Sequence, residues 1–88
     1  QRIVRRRRME FINLWEALTQ NQKKTLRLIA LKEGRDLFGA ASLQTVGLTR
    51  SSQVTRAIEA LLEREIIEKN DRYHLQDVLF KKWILSAL

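Results

Sequence analysis

The chain has 88 residues, of which 44% are hydrophobic and 31% charged, and its formal net charge at pH 7 is +7. This length fits one small domain, and because the sequence has no cysteine, disulfide bonds and zinc–thiolate sites are excluded. No apolar run approaches the roughly 18 residues of a membrane-spanning helix, and no signal peptide is visible, so we expect a cytoplasmic location.

An arginine cluster stands at the start of the chain. Arg2 and Arg5–Arg8 supply five of the seventeen basic side chains, and without them twelve basic residues face ten acidic ones. A helix over about residues 3–18 is predicted by the spacing of its apolar residues, Ile3, Phe11, Leu14, Trp15 and Leu18. Two interpretations of the run stay open. It is a solvated helix turn or linker, or it is an arm that contacts phosphate groups through Arg5, Arg6, Arg7 and Arg8.

A second helix is predicted to follow at once. Thr19 and Gln22 match the S/T-x-x-E/Q capping box, in which each of the two side chains accepts a hydrogen bond from the other residue's backbone. The apolar spacing continues to about Glu33, and Gly34 stands where a glycine in the left-handed conformation ends a helix.

A helix-turn-helix is predicted next. Residues 40–46 form a short helix that Gly47 closes, with Leu43, Val46 and Leu48 pointing inward. The turn over residues 47–50 then leads into a longer helix that starts at Ser51.

The longer helix has one apolar face, formed by Val54, Ala57, Ile58, Leu61 and Leu62. Ser51 or Ser52 is predicted to cap its first turn. After Arg64 the pattern changes to alternation, which predicts a hairpin of residues 66–69 with residues 72–75. The pair Asn70-Asp71 is predicted to form a two-residue turn between these strands.

A last helix begins with Asp77 as its N-cap. Its inward face is predicted to hold Leu79, Phe80, Trp83, Ile84 and Ala87, with Trp83 buried against Phe80 and Trp15. The predicted fold is mostly α with a small β-hairpin, a winged helix-turn-helix with an extra N-terminal and an extra C-terminal helix. It is one domain over residues 1–88, with the N-terminal helix at 1–18, the helix-turn-helix plus wing at 19–76 and the C-terminal helix at 77–88.

Catalysis has little support in the sequence. His74 is the single histidine, and one histidine without cysteine rarely makes a metal site. The three glycines do not form a phosphate-binding loop such as G-x-x-x-x-G-K-[ST]. We therefore expect no enzyme activity, no metal, no cofactor and no small-molecule substrate for this domain.

Binding of double-stranded DNA is the leading prediction. The first part of the second helix of a helix-turn-helix enters the major groove, and here that part is polar and cationic. The predicted DNA contacts are Arg50, Ser51, Ser52, Gln53, Thr55 and Arg56 on this helix and Lys69, Asn70 and Arg72 on the wing. Glu59 and Glu63 further along the helix would repel phosphate, so only a shallow insertion is compatible with them. The alternative is that this face is solvated or packs on another protein domain.

The stretch from residue 18 to residue 85 resembles the C-terminal winged-helix domain of archaeal and bacterial AAA+ (STAND-type) ATPases. The resemblance is carried by residues 51–63, by residues 66–69 and by residues 73–83, with Asp77, Phe80 and Trp83 as its more specific part. Val78 stands where that family usually has proline, so the start of the last helix is less firmly set.

The resemblance implies that this chain is the end of a longer protein whose ATPase motifs lie elsewhere. In such proteins the winged helix binds DNA or regulates the ATPase by packing on it. A neighbouring ATPase domain is therefore the alternative partner to DNA, and a stand-alone transcription regulator of the same fold is a third possibility.

Overall fold

The computed structural model describes residues 2–88, with side chains from Arg7 onward. The described residues form five helices and two strands, with the bounds α1 (Arg2–Glu16), α2 (Gln20–Lys32), α3 (Ala40–Val46), α4 (Ser51–Glu63), β1 (Ile67–Lys69), β2 (Tyr73–Leu75) and α5 (Val78–Ala87). The predicted fold class, mostly helical with one small hairpin, is confirmed. The inward position predicted for Ile3 lies outside the described side chains.

The start and the end of α2 follow the sequence prediction. Thr19 Oγ1 accepts from the backbone N–H of Gln22 at 3.2 Å, and Gln22 Oε1 accepts from the N–H of Thr19 at 3.1 Å. At the other end the backbone is left-handed at Glu33 and at Gly34, where φ is 80°. A Cβ atom on Gly34 would also collide with the carbonyl oxygen of Tyr73. Glycine is therefore required here both by the helix end and by the approach of the hairpin.

The turn between α3 and α4 is tied to α2. Gly47 ends α3 with a φ of 78°, and its carbonyl oxygen accepts a hydrogen bond of 3.2 Å from Lys24 Nζ. Leu43, Val46 and Leu48 are buried, as predicted. The helix-turn-helix is thus anchored by apolar side chains inside and by one lysine at its turn.

The predicted capping of α4 by Ser51 or Ser52 is wrong. Arg50 is the N-cap residue and both serines already lie in the first helical turn. Gln53 Oε1 instead makes the backward hydrogen bonds of a capping box, because it accepts from the N–H groups of Thr49 and Arg50 at 3.0 Å each. A side chain in the third helical position can reach back to these donors, whereas a serine inside the turn cannot.

One aliphatic and aromatic core lies between the helices. Its most deeply buried apolar side chains are Phe11, Leu26, Leu28, Ile29, Val54, Leu61, Ile67 and Ile84. Val54, Ala57, Ile58 and Leu61 of α4 are buried as predicted, but Leu62 is 36% exposed. Leu62 lies about 100° around the helix from Leu61, which places it at the edge of the buried stripe.

The hairpin differs from its prediction in register. Ile67 pairs with Leu75, and Lys69 pairs with Tyr73 and not with Arg72. The connection is therefore three residues long, and the predicted two-residue turn at Asn70-Asp71 is wrong. Ile67 and Leu75 are both buried, so their pairing over the core sets the register and leaves the third residue to the loop.

Helices α1 and α5 lie side by side and run in the same direction. Contacts advance together along both, from Arg7 with Asp77 to Phe11 with Phe80, and then to Trp15 with Trp83. The ring centroids of Trp83 lie 6.0 Å from Phe80 and 6.4 Å from Trp15. The predicted contacts of Trp83 are present, but its burial is only partial.

Candidate nucleic-acid interface

The first two turns of α4 carry an exposed polar surface. We call it the α4 tip, and it consists of Arg50, Ser51, Ser52, Thr55 and Arg56, all of which are exposed. Thr55 Oγ1 donates to the carbonyl oxygen of Ser51 at 3.3 Å, so its lone pairs face outward as acceptors. The tip therefore offers two guanidinium groups and three hydroxyl groups to a partner.

Gln53 has a different place from its neighbours. Its side chain is half-buried, and its oxygen is occupied by the N–H groups that precede α4. The predicted contact of Gln53 with DNA can thus involve only its amide N–H groups. The contribution that its geometry shows is local, because it holds the backbone of Arg50.

The start of α2 lies beside the α4 tip. A depression of about 180 Å³ separates them, lined by Thr19, Asn21 and Gln22 from α2 and by Ser52, Gln53, Arg56 and Ala57 from α4. Sequence reasoning missed the part of α2 in this surface. The capping box marked where α2 begins, but the packing of α2 on α4 that brings the two starts together is a tertiary contact with no local signal.

The character of α4 changes along its exposed side. Glu59 and Glu63 follow the tip by one and two turns, and both are exposed. Leu62 lies next to them and is 36% exposed. The helix therefore presents cations and hydroxyls at its start, and carboxylates with one apolar side chain towards its end.

The wing presents a second basic group. Lys69, Asn70 and Arg72 are exposed, and Lys69 Nζ lies 5.1 Å from the ring centroid of Tyr73. On the other side of the hairpin His74 Nε2 lies 2.7 Å from Glu68 Oε2. His74 is thus paired across the strands at the surface.

The α4 tip and the wing lie at opposite ends of α2. The tip lies beside Asn21 and Gln22, whereas the wing packs beside Glu33 and Gly34. A helix of this length spans roughly 20 Å. The two polar groups are therefore separate surfaces held apart by one rigid helix.

Arg7, the first residue of the arginine run whose side chain the structure describes, lies away from the α4 tip. Arg7 borders a groove of about 470 Å³ together with Arg64 and Glu65, which follow the end of α4. Arg8 is exposed, and the side chains of Arg5 and Arg6 lie outside the described part of the structure.

Arg7 itself is engaged inside the protein. Its guanidinium bonds to Glu10 at 2.8 Å and to Asp77, and its Cζ lies 4.7 Å from the ring centroid of Phe11. Asp77 also caps α5, since its Oδ1 accepts from the N–H groups of Leu79 at 2.9 Å and Phe80 at 3.3 Å. This ion pair therefore joins α1 to the first turn of α5.

The environment of this ion pair favours the charged form of both partners. Burial acts to raise the pKa of Asp77, but the hydrogen bonds from Arg7 and from the backbone of Phe80 outweigh it, so the pKa lies below its ordinary value. The hydrogen bonds to Asp77 and Glu10 raise the pKa of Arg7. Asp77 therefore loses its negative charge at a lower pH than an ordinary aspartate does.

Other kinds of site find no support in residues 2–88. Among the described residues no group of three or more histidine, cysteine, aspartate and glutamate side chains could hold a metal ion. No described helix is both long and apolar enough to cross a membrane.

Comparison with known proteins adds one finding. A family model described as a probable winged helix domain matches residues 9–86, which is most of the chain. No curated protein and no solved structure matches the chain. Domains of the matched kind commonly bind DNA or proteins.

Proposed function

Because this chain belongs to the family of probable winged helix domains, we propose that it is a non-catalytic module that binds double-stranded DNA. The observation that carries the proposal is the α4 tip, with its two exposed arginines and three hydroxyls around the joint starts of α4 and α2. Helix-turn-helix domains place this part of the second helix in the major groove.

The chemistry of the α4 tip suits both parts of a DNA contact. Arg56 is the candidate for base recognition, because an arginine can bind the O6 and N7 atoms of guanine with two hydrogen bonds. Ser51, Ser52 and Thr55 are suited to phosphate oxygens or base edges. Gln53 supports the surface from below, by holding the N–H of Arg50 at 3.0 Å.

The wing extends the proposed interface. Lys69 and Arg72 are exposed cations at the far end of α2, roughly 20 Å from the α4 tip by the length of that helix. The centres of the major groove and the adjacent minor groove are about 17 Å apart, half of one helical turn of DNA. We therefore assign Lys69, Asn70 and Arg72 to the backbone or the minor groove next to the site that the tip reads.

The arginine run has a smaller part in this proposal. Arg7 is held by Asp77 and Glu10 and is not free for phosphate. Arg5, Arg6 and Arg8 are assigned only a charge contribution from the N-terminal helix. We therefore expect them to strengthen binding to all sequences alike, with no base information.

The test is a fluorescence anisotropy titration with a duplex selected from a random pool and with an unselected duplex. Arg56→Ala is expected to weaken binding to the selected duplex by about 1–3 kcal/mol and to change binding to the unselected one much less. Arg64→Ala is the matched control, because it removes an exposed arginine beyond the other end of the same helix. It should leave both affinities unchanged.

The same titrations at two ionic strengths test the wing. If Lys69 and Arg72 each contact a phosphate, each replacement by alanine should lower the slope of log affinity against log salt by about 0.9. The proposed interface would be rejected if the three single variants Arg56→Ala, Lys69→Ala and Arg72→Ala all bound DNA with the affinity and salt dependence of wild type.

A second candidate function is docking on a neighbouring protein domain. The acidic half of α4 supports it, since Glu59, Leu62 and Glu63 fit a protein surface better than a phosphate backbone. The resemblance to the C-terminal winged helix of AAA+ ATPases supplies the candidate partner, an ATPase domain of a longer cytoplasmic protein. The two functions differ in which half of α4 is covered in the intact protein: DNA covers the α4 tip, whereas docking covers the surface of Glu59, Leu62 and Glu63. Hydrogen exchange of α4 in the presence and absence of the ATPase domain would measure which half is protected.

A further inference from the structure

Two exposed stripes on different helices have opposite charge. The α5 stripe consists of Val78, Lys81, Lys82 and Leu85, which lie within about 100° of arc on one side of the helix; three of them are exposed and Lys81 is half-buried. Val78 is 61% and Leu85 43% exposed, and α5 contains no acidic residue. This stripe therefore combines apolar surface with positive charge only.

The complementary stripe lies on the second half of α4. Glu59, Leu62 and Glu63 also share about 100° of arc, with Leu62 at the edge nearest the buried stripe and the two carboxylates next to it on the solvent side. Among the described residues, neither these two glutamates nor Lys81 and Lys82 form an ion pair. Their charges are therefore available to a partner.

No ion pair joins the two stripes within one molecule among the described residues. The charged side chains of both lie on sides of their helices turned away from the buried residues, which are Val54 and Leu61 in α4 and Phe80 and Ile84 in α5. On α5 the two lysines precede Leu85 by four and three residues, and on α4 Glu59 precedes Leu62 by three. A second copy of the chain is thus a partner that has the chemistry each stripe lacks.

We propose that copies of this chain associate head to tail, with the α5 stripe of one copy against the α4 stripe of the next. Leu85 of one copy packs on Leu62 of its neighbour, while Lys81 and Lys82 face Glu59 and Glu63. The contact uses two different surfaces, so it adds copies in a row and does not close as a two-fold dimer. Because the charged groups stay near solvent, the association weakens as the salt concentration rises.

This arrangement leaves the α4 tip uncovered, because the contact uses only the second half of α4. A row of copies could therefore present successive tips to one duplex. The contact itself does not depend on the proposed DNA binding, and it is tested without DNA.

The experiment is sedimentation velocity over a range of protein concentrations, at low and at high ionic strength. Wild type should sediment faster as its concentration rises at low salt, with no limiting mass at two copies. The variants Glu59→Lys/Glu63→Lys and Lys81→Glu/Lys82→Glu should each remain monomeric, because both stripes of such a variant carry the same sign. Circular dichroism should show both variants folded, since the changed side chains point away from the core.

The equimolar mixture of the two variants is the decisive sample. Each stripe then finds an opposite charge on the other variant, so concentration-dependent association should return. A wild type that stays monomeric, a mass that stops at two copies, association of either variant alone, or a mixture that stays monomeric would each overturn the proposal. If DNA binding fails while the mixture associates, only the proposed function is wrong.

Discussion

The pair α2–α4 and the pair α1–α5 are built on different chemistry. The buried faces of α2 and α4 are almost entirely aliphatic, and they leave the starts of both helices exposed at the α4 tip. Helices α1 and α5 meet through aromatic rings and one ion pair, and Trp15 and Trp83 remain half-buried. The first pair therefore supplies more of the buried hydrophobic side chains that the structure describes than the second, eight against three. The second pair attaches α1 through polar and ring contacts that can be altered one at a time.

The largest expected effect on stability is in the pair α2–α4, the aliphatic pair. Leu61→Ala should lower the free energy of unfolding by about 2–5 kcal/mol, because Leu61 is fully buried and its removal leaves a cavity. Chemical denaturation followed by circular dichroism measures the loss. Leu62→Ala is the matched control, since this neighbouring leucine is 36% exposed and should cost much less. Equal losses would mean that α4 packs through a different face.

Replacing Asp77 should weaken the contact between α1 and α5, the aromatic pair. Asp77→Ala removes the N-cap of α5, which alone costs about 0.5–2 kcal/mol, and it also leaves Arg7 without its partner. Asp77→Asn keeps a good capping residue and removes the negative charge, so it should cost less. Hydrogen exchange should show the loss chiefly in α1 and the first turn of α5. Loss spread evenly through α2 and α4 would show that the two pairs are not separable.

Low pH should weaken the same ion pair between Arg7 and Asp77. The pKa of Asp77 is lower in the folded protein than its ordinary value, so the stabilisation is present above the unfolded pKa, about 3.9, and is lost as pH falls through the folded pKa. Wild type should therefore lose more stability than Asp77→Asn between neutral pH and the acid range. Parallel pH profiles for the two proteins would contradict a role of the charge.

The smallest expected effect is a gain in the aliphatic pair. Thr25 is fully buried on α2, and its Oγ1 has no hydrogen-bond partner among the described residues. Thr25→Val replaces the hydroxyl by a methyl group of similar size and should raise the free energy of unfolding by about 1 kcal/mol. A loss of stability on denaturation would mean that the hydroxyl does have a partner in solution.

Local signals in the sequence predicted much of this fold. The capping box of Thr19 and Gln22 and the left-handed glycine at Gly47 act within a few residues, so each could be recognised without knowing what packs nearby. Asp77 was identified as the N-cap of α5 for the same reason. Its ion pair with Arg7 was not predicted, because seventy residues separate the two side chains along the chain.

The wrong predictions share one cause: a local sequence signal competes with another contact, and only the folded structure shows which of the two forms. Ser51 and Ser52 are good capping residues, but the helix begins with Arg50 as its N-cap, and Gln53 reaches back to the N–H groups of Thr49 and Arg50. Asn70-Asp71 suits a tight turn, yet the pairing of Ile67 with Leu75 over the core leaves a longer loop. The joint surface of the starts of α2 and α4 was missed because it arises from helix packing alone.

The close approach at Gly34 fixes the distance between the wing and the end of α2. The backbone of Gly34 contacts the backbone of Tyr73 with no side chain between them. The hairpin therefore packs directly on the end of α2, and this contact limits how far the hairpin can tilt towards the helix. The span between Arg72 and the α4 tip is then set by the length of one helix and by the thickness of two backbones. A single added methyl group at position 34 would lengthen that span. It would thereby change the groove spacing that the wing and the α4 tip could match together.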